Sequence, residues 1–109
     1  MSTLSTHVLD TMRGRPAQGV KVTLRREDVL VGSDVTDEEG RIREFRTTGA
    51  RLDQGSYRLS FGVAEYWKAA GQETFYPEIV IHFTIDTSTG HFHVPLLLSP
   101  YGYTTYRGS

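Results

Sequence analysis

The sequence contains no cysteine. That absence removes disulfide staples, thiolate metal sites and a catalytic thiol together. Positive charge is not in surplus either: 12 Lys and Arg stand against 13 Asp and Glu, a formal net charge of -1. Such a chain has little with which to displace counterions from a phosphate backbone, so nucleic acid is not an expected partner. Long hydrophobic runs are missing. No segment approaches the ~18 apolar residues of a membrane-spanning helix, so no membrane partner is expected. The opening Met1-Ser2-Thr3-Leu4-Ser5-Thr6-His7 lacks the basic and apolar regions of a secretory signal. The closing Arg107-Gly108-Ser109 is not a peroxisomal address. The expected location is therefore cytoplasmic. A Gly-rich phosphate loop, a Gly-X-Ser-X-Gly elbow and usefully spaced paired carboxylates are also lacking, which leaves nucleotide binding and serine-esterase chemistry without support.

What is there reads as β structure. A chain of 109 residues fits one domain, 1–109, with a thin core that oligomerisation would help. Short alternating segments are separated by turn residues: Leu4–Asp10, Val20–Arg25, Val29–Thr36, Arg41–Arg46, Ser56–Val63, Glu78–Ile85, His91–Ser99 and Tyr103–Arg107. Gly40 closes the turn Asp37-Glu38-Glu39-Gly40 and is expected to take a positive φ. Ser88-Thr89-Gly90 is a further expected turn. Ala64–Ala70 breaks the rhythm with good helix formers and ends at Gly71, a plausible C-terminal cap. Strands with one helix and no internal repeat indicate an all-β antiparallel sandwich. Pro95 is the awkward residue, because it cannot donate to a ladder and should sit where an amide would face no partner.

Four histidines are the candidate chemical groups: His7, His82, His91 and His93. His91 and His93 are two apart on one strand, so they leave the same face, while Phe92, Val94, Leu96 and Leu98 point into the core. That phase puts His93, Pro95 and Leu97 outside, on a face that another subunit would cover. Taken singly, each histidine is most simply a surface or satisfied imidazole, and His82 keeps that reading. His7, His91 and His93 could together hold zinc with a position left for water, a reading ranked below the metal-free one. Arg41 opens a strand after the Glu39-Gly40 turn. It is either a solvated edge charge or a fork for the oxygens of an anionic substrate. The terminus Tyr103–Ser109 alternates like a strand to its last residue, as an edge strand or as part of a site.

These residues resemble a known family. Ser5-Thr6-His7-Val8-Leu9-Asp10, Gly14-Arg15-Pro16-Ala17, Thr36-Asp37 followed by Gly40-Arg41, and Phe75-Tyr76-Pro77-Glu78 match it. So do His91-Phe92-His93-Val94-Pro95-Leu96-Leu97-Leu98-Ser99-Pro100-Tyr101-Gly102-Tyr103 and the closing Tyr106-Arg107-Gly108-Ser109. The family is the transthyretin-like 5-hydroxyisourate hydrolases, and the match runs the length of the chain. The terminal tetrapeptide is its most specific part, because hormone-carrying transthyretins lack it. Phe92 stands where tyrosine is common and Thr104 where serine is common; neither is a catalytic position.

The resemblance implies a transthyretin-like (prealbumin-like) sandwich of two four-stranded sheets with one short helix. It implies a homotetramer, a dimer of dimers, with active sites in a central channel. It implies a hydrolase of 5-hydroxyisourate in urate breakdown that needs no cofactor and no metal. The catalytic positions it implies are His7, Arg41, His93 and Ser109, with Tyr106, Arg107 and Gly108 joining His7, Arg41 and Ser109 in substrate binding. His93 is then the expected proton-transfer group, hydrogen-bonded to the Ser109 hydroxyl or carboxylate. His91 supports the site less directly. The rival reading is a carrier of a small aromatic ligand in the same channel.

Overall fold

Two sheets packed face to face build the protein, seen in a computed structural model that describes residues 2–47, 52–86 and 90–109. Strands β1 (Ser2–Asp10), β2 (Arg15–Pro16), β3 (Lys21–Arg26), β4 (Val29–Val35), β5 (Arg41–Ile42) and β6 (Gly55–Phe61) precede helix α1 (Val63–Ala69). Strands β7 (Ile79–Ile85), β8 (Gly90–Ser99) and β9 (Gly102–Thr105) follow it. One sheet has the order β4-β3-β6-β7; the other runs β2-β1-β8-β9, with β5 also on β1. The expected turn at Ser88-Thr89 lies outside the described residues.

Period-two alternation fixes what faces inward. Leu4 and Val8 of β1, Val22 and Leu24 of β3, and Tyr57, Leu59 and Phe61 of β6 are buried. Phe92, Val94, Leu96 and Leu98 of β8 close the core from the other sheet, in the phase expected from the sequence. Each such side chain stabilises the fold by roughly 1.5–3 kcal/mol relative to exposure. Helix α1 adds the buried Trp67 and ends as expected: Gly71, at φ 69°, donates to the Lys68 carbonyl, and Gln72 donates to that of Trp67. No helix among the described residues is long and apolar enough to cross a membrane.

The sandwich differs in two details from an antiparallel pair of four-stranded sheets. The second sheet has five strands, because two-residue strands β2 and β5 share the outer edge of β1. Its central pairing, β1 with β8, is parallel, from Ser2 opposite Gly90 to Asp10 opposite Leu98. A connection that crosses the other sheet returns the chain to β1 in the same direction, as a crossover must for a parallel neighbour. The strand expected over 41–46 is regular only through Ile42, although the Phe45 amide still donates to the Leu4 carbonyl at 2.8 Å.

Pro95 is buried rather than exposed on the outer face. It sits beside His7 in the β1–β8 register, and its carbonyl accepts the Thr105 hydroxyl at 2.8 Å. The β8–β9 ladder runs only to Thr105 and then resumes as a single bridge between His93 and Gly108. The gap falls where the missing proline amide would have donated, so Pro95 releases the terminal segment from regular pairing.

Candidate functional site

The parallel register gathers the polar groups. Thr3, Ser5 and His7 stand opposite His91, His93 and Pro95, so all six project from the outer face of the sheet. Arg41 arrives on the same face opposite His7. A tight turn delivers it: Asp37 Oδ1 accepts the amides of Glu39 and Arg41 at 2.9 Å each, and the Gly40 amide donates to the Asp37 carbonyl. The Arg41 and Glu39 amides and the nearby Arg43 and Arg41 charges hold the Asp37 carboxyl below its ordinary pKa against the effect of burial. Gly40 has φ 73°, and a Cβ there would collide with the Val8 carbonyl, whose strand the Gly40 carbonyl also serves by accepting the Val8 amide.

An open cavity of about 280 Å³ results, lined by Ser5, Arg41, Arg43, His91, His93 and Ser109 among others. His93, on the cavity wall, and His7, opposite Arg41 on β1, are both partly buried. Burial pushes the His93 pKa below 6.5, and the positive charges of Arg41, His7 and His91 push the same way. Burial and then Arg41 lower the His7 pKa likewise, partly offset by the Glu39 carbonyl. Both imidazoles are therefore neutral at neutral pH, the state in which a ring nitrogen can accept a proton. The His7 Nε2–H donates to the Glu39 carbonyl at 2.9 Å, because a carbonyl can only accept; neutral His7 thus has its lone pair at Nδ1.

The site residues expected from the sequence do not all meet. Arg41, His93 and Ser109 line one cavity, and His7 adjoins it through Arg41. Gly108 lies flat against His93: its amide donates to the His93 carbonyl at 2.8 Å, and a Cβ would meet the ring's Cγ at 3.1 Å and its Cδ2 closer still. Tyr106 lines a second, more apolar hollow of about 240 Å³, for which His93 is also a wall. Arg107 points away from the polar cavity. Its guanidinium lies 5.0 Å from the Phe92 ring centre and 3.7 Å from Asp86. Arg107 borders the apolar hollow together with Tyr106, beyond the regular strand, which ends at Thr105.

His93 is hydrogen-bonded through Nδ1 to the Ser5 hydroxyl at 2.7 Å, where Ser109 was the expected partner. Ser5 and Thr3 were missed as site residues. Their signal was available, because both share the odd-numbered phase of His7 on β1. Among the described residues, no three His, Cys, Asp or Glu side chains are grouped so as to hold a metal ion. His91 uses both ring nitrogens on hydroxyls, Nδ1 with Thr3 at 2.6 Å and Nε2 with Ser5 at 2.8 Å. His82 is exposed on the other sheet.

Residues 4–108 match the sequence profile of the HIUase/Transthyretin family. The chain belongs to that family. A 5-hydroxyisourate hydrolase of Mus musculus is 46% identical over 114 residues, covering 99% of this chain and 96% of its own. The solved 5-hydroxyisourate hydrolase of Klebsiella pneumoniae is 44% identical with a TM-score of 0.88, covering 100% of this chain and 94% of its own. Sea bream transthyretin, solved with thyroxine, is 28% identical with a TM-score of 0.87, covering 96% of this chain and 93% of its own. The HIUase/Transthyretin sandwich thus accommodates proteins named for catalysis and one solved with a bound small molecule, and the groups in the cavity must separate the two.

Proposed function

We propose that this chain hydrolyses 5-hydroxyisourate, adding water to a ring amide to give 2-oxo-4-hydroxy-4-carboxy-5-ureidoimidazoline. The observation that carries the reading is the meeting of His93, Arg41 and Ser109 at one open cavity, with neutral His7 beside Arg41. Relatives named for this hydrolysis, similar over almost the whole chain, support the substrate. A carrier of an apolar ligand would be served better by an apolar lining than by these groups.

In the proposed reaction, neutral His93 removes a proton from water as the oxygen attacks the amide carbon. Arg41 binds the developing oxyanion with its fork of N–H donors. The tetrahedral carbon then expels the ring nitrogen, which takes the proton back from His93. His7, held by the Glu39 carbonyl, orients the water. Ser109 closes the end of the cavity. Water, imidazole and guanidinium supply every group the reaction needs.

The proposal includes assembly into a homotetramer, two dimers joined around the histidine face. Strands β7 and β9 end their sheets and so offer unpaired edges for pairing between copies. Sedimentation analysis is expected to give four copies per particle. The function itself is tested by ultraviolet monitoring of freshly generated 5-hydroxyisourate: decay faster than the spontaneous rate and proportional to protein concentration is expected. Decay at the spontaneous rate, with substrate merely bound, would leave the carrier reading in its place.

A further inference from the structure

The outer face carries an unbroken line of side-chain hydrogen bonds that the hydrolysis does not by itself require. It runs from Thr3 Oγ1 to His91 Nδ1, from His91 Nε2 to Ser5 Oγ, and from Ser5 Oγ to His93 Nδ1, at 2.6, 2.8 and 2.7 Å. Strand register builds it, since Thr3 faces His91 and Ser5 faces His93 across the parallel β1–β8 pair. The inner member, Ser5, is only 6% exposed, whereas the His91 end is open to solvent. A buried hydroxyl held between two imidazoles, with a path outward, is more than a surface contact.

We infer that Ser5 and His91 are positioning residues of a proton wire that sets the tautomer of His93 and connects it to solvent at Thr3. This rests on the proposed hydrolysis. A hydroxyl has one proton, so Ser5 donates to one imidazole and accepts from the other. With the Ser5 proton on His91 Nε2, the serine oxygen accepts from His93 Nδ1–H, and the His93 Nε2 lone pair is free as a base. With the Ser5 proton on His93 Nδ1, His93 carries its proton at Nε2 as a neutral acid, and His91 Nε2–H donates to Ser5.

The two states interconvert with every proton accounted for. His93 Nε2 takes the proton of the attacking water while its Nδ1 proton passes to Ser5. The serine proton passes to His91 Nε2, the His91 Nδ1 proton to Thr3, and the threonine proton to bulk water. Delivery of the Nε2 proton to the leaving nitrogen reverses the line. The wire spares His93 from becoming a cation. That matters because Arg41, which lines the same cavity, opposes a positive charge on His93.

Intact protein and three variants test this. In unmodified protein, nitrogen NMR of the imidazoles is expected to find one protonated and one bare nitrogen facing Ser5. Two protonated or two bare nitrogens would overturn the wire, and this reading does not depend on any variant folding. With 5-hydroxyisourate, Ser5→Ala is expected to lower kcat by roughly tenfold to a hundredfold with KM little changed, the usual loss when an orienting partner is removed. Ser5→Thr is expected to restore most of it, and Thr3→Val to cause a smaller loss. The solvent-isotope dependence in mixed light and heavy water is expected to be curved for the unmodified protein and linear for Ser5→Ala. A Ser5→Ala protein with unchanged kcat and an unchanged isotope curve would overturn the wire while leaving the hydrolysis standing. Absence of turnover in the unmodified protein would instead remove the reading on which the wire rests.

Discussion

Alanine at position 108 would place a methyl group where the His93 ring already lies. The added Cβ would meet the His93 Cβ at 3.2 Å and the ring's Cγ at 3.1 Å, with Cδ2 nearer still. Gly108 is not among the glycines with positive φ, so the substitution costs no backbone strain and its effect is steric. Either the imidazole or the terminus must yield by about an ångström to restore ordinary carbon–carbon contact. Moving the ring stretches its 2.7 Å bond to Ser5; moving the terminus breaks the 2.8 Å bond from the Gly108 amide and withdraws Ser109 from the cavity. A displacement of that size near reacting atoms costs on the order of 100-fold in rate, or about 2.7 kcal/mol of transition-state stabilisation. Stability should fall by only about 0.5–1.5 kcal/mol, the net worth of one hydrogen bond. The assay is kcat/KM of Gly108→Ala on 5-hydroxyisourate beside its urea unfolding curve. Unchanged kcat/KM would refute the packing of the terminus against His93.

Arg41→Gln should lower kcat/KM by about 10²–10³-fold, the usual loss of an oxyanion donor. Arg41 lowers the pKa of both His7 and His93, so removing it lets both climb back toward 6.5, and the acid limb of the pH–rate profile should move to higher pH. A limb that stays in place would show that neither imidazole governs turnover. Tyr66→Phe should destabilise the fold by roughly 1.5–3 kcal/mol at neutral pH, because the Tyr66 hydroxyl donates at 2.6 Å to the buried Asp10 carboxylate. Burial alone would raise the Asp10 pKa, but the bonds from Tyr66 and Arg13 outweigh it and hold the carboxyl below 3.8. Asp10 therefore contributes stability above that value, lost as pH falls through its lowered folded pKa. The difference between Tyr66→Phe and the unmodified protein should shrink over that acid range in denaturant titrations.

Much of the fold was legible because it depends on local rules. Phe92, Val94, Leu96 and Leu98 declare the inner face of β8 by period two, and with it the outward direction of His91 and His93. Gly40 and Gly71 declare their turns because a positive φ favours glycine. Strand pairing is another matter. That β1 lies parallel to β8, and that Ser5 therefore faces His93 across 88 positions, follows from how two sheets close on a shared core. No local pattern carries that register. Arg107 is a further case. Resemblance groups it with Tyr106 and Gly108 as one motif, whereas its guanidinium lies over Phe92, beyond the end of β9 where alternation no longer fixes a direction. Pro95 was recognised as unable to donate, but its burial depended on the flanking strands, β1 and β9, which sequence does not position.

The central claim is that a neutral imidazole at position 93 moves the proton in a metal-free hydrolysis. Turnover of freshly generated 5-hydroxyisourate by His93→Ala, with assembly checked by sedimentation, tests it most directly. Decay no faster than the spontaneous rate, from a protein that still assembles like the unmodified chain, is the expected result. Decay at the rate of the unmodified protein would contradict it.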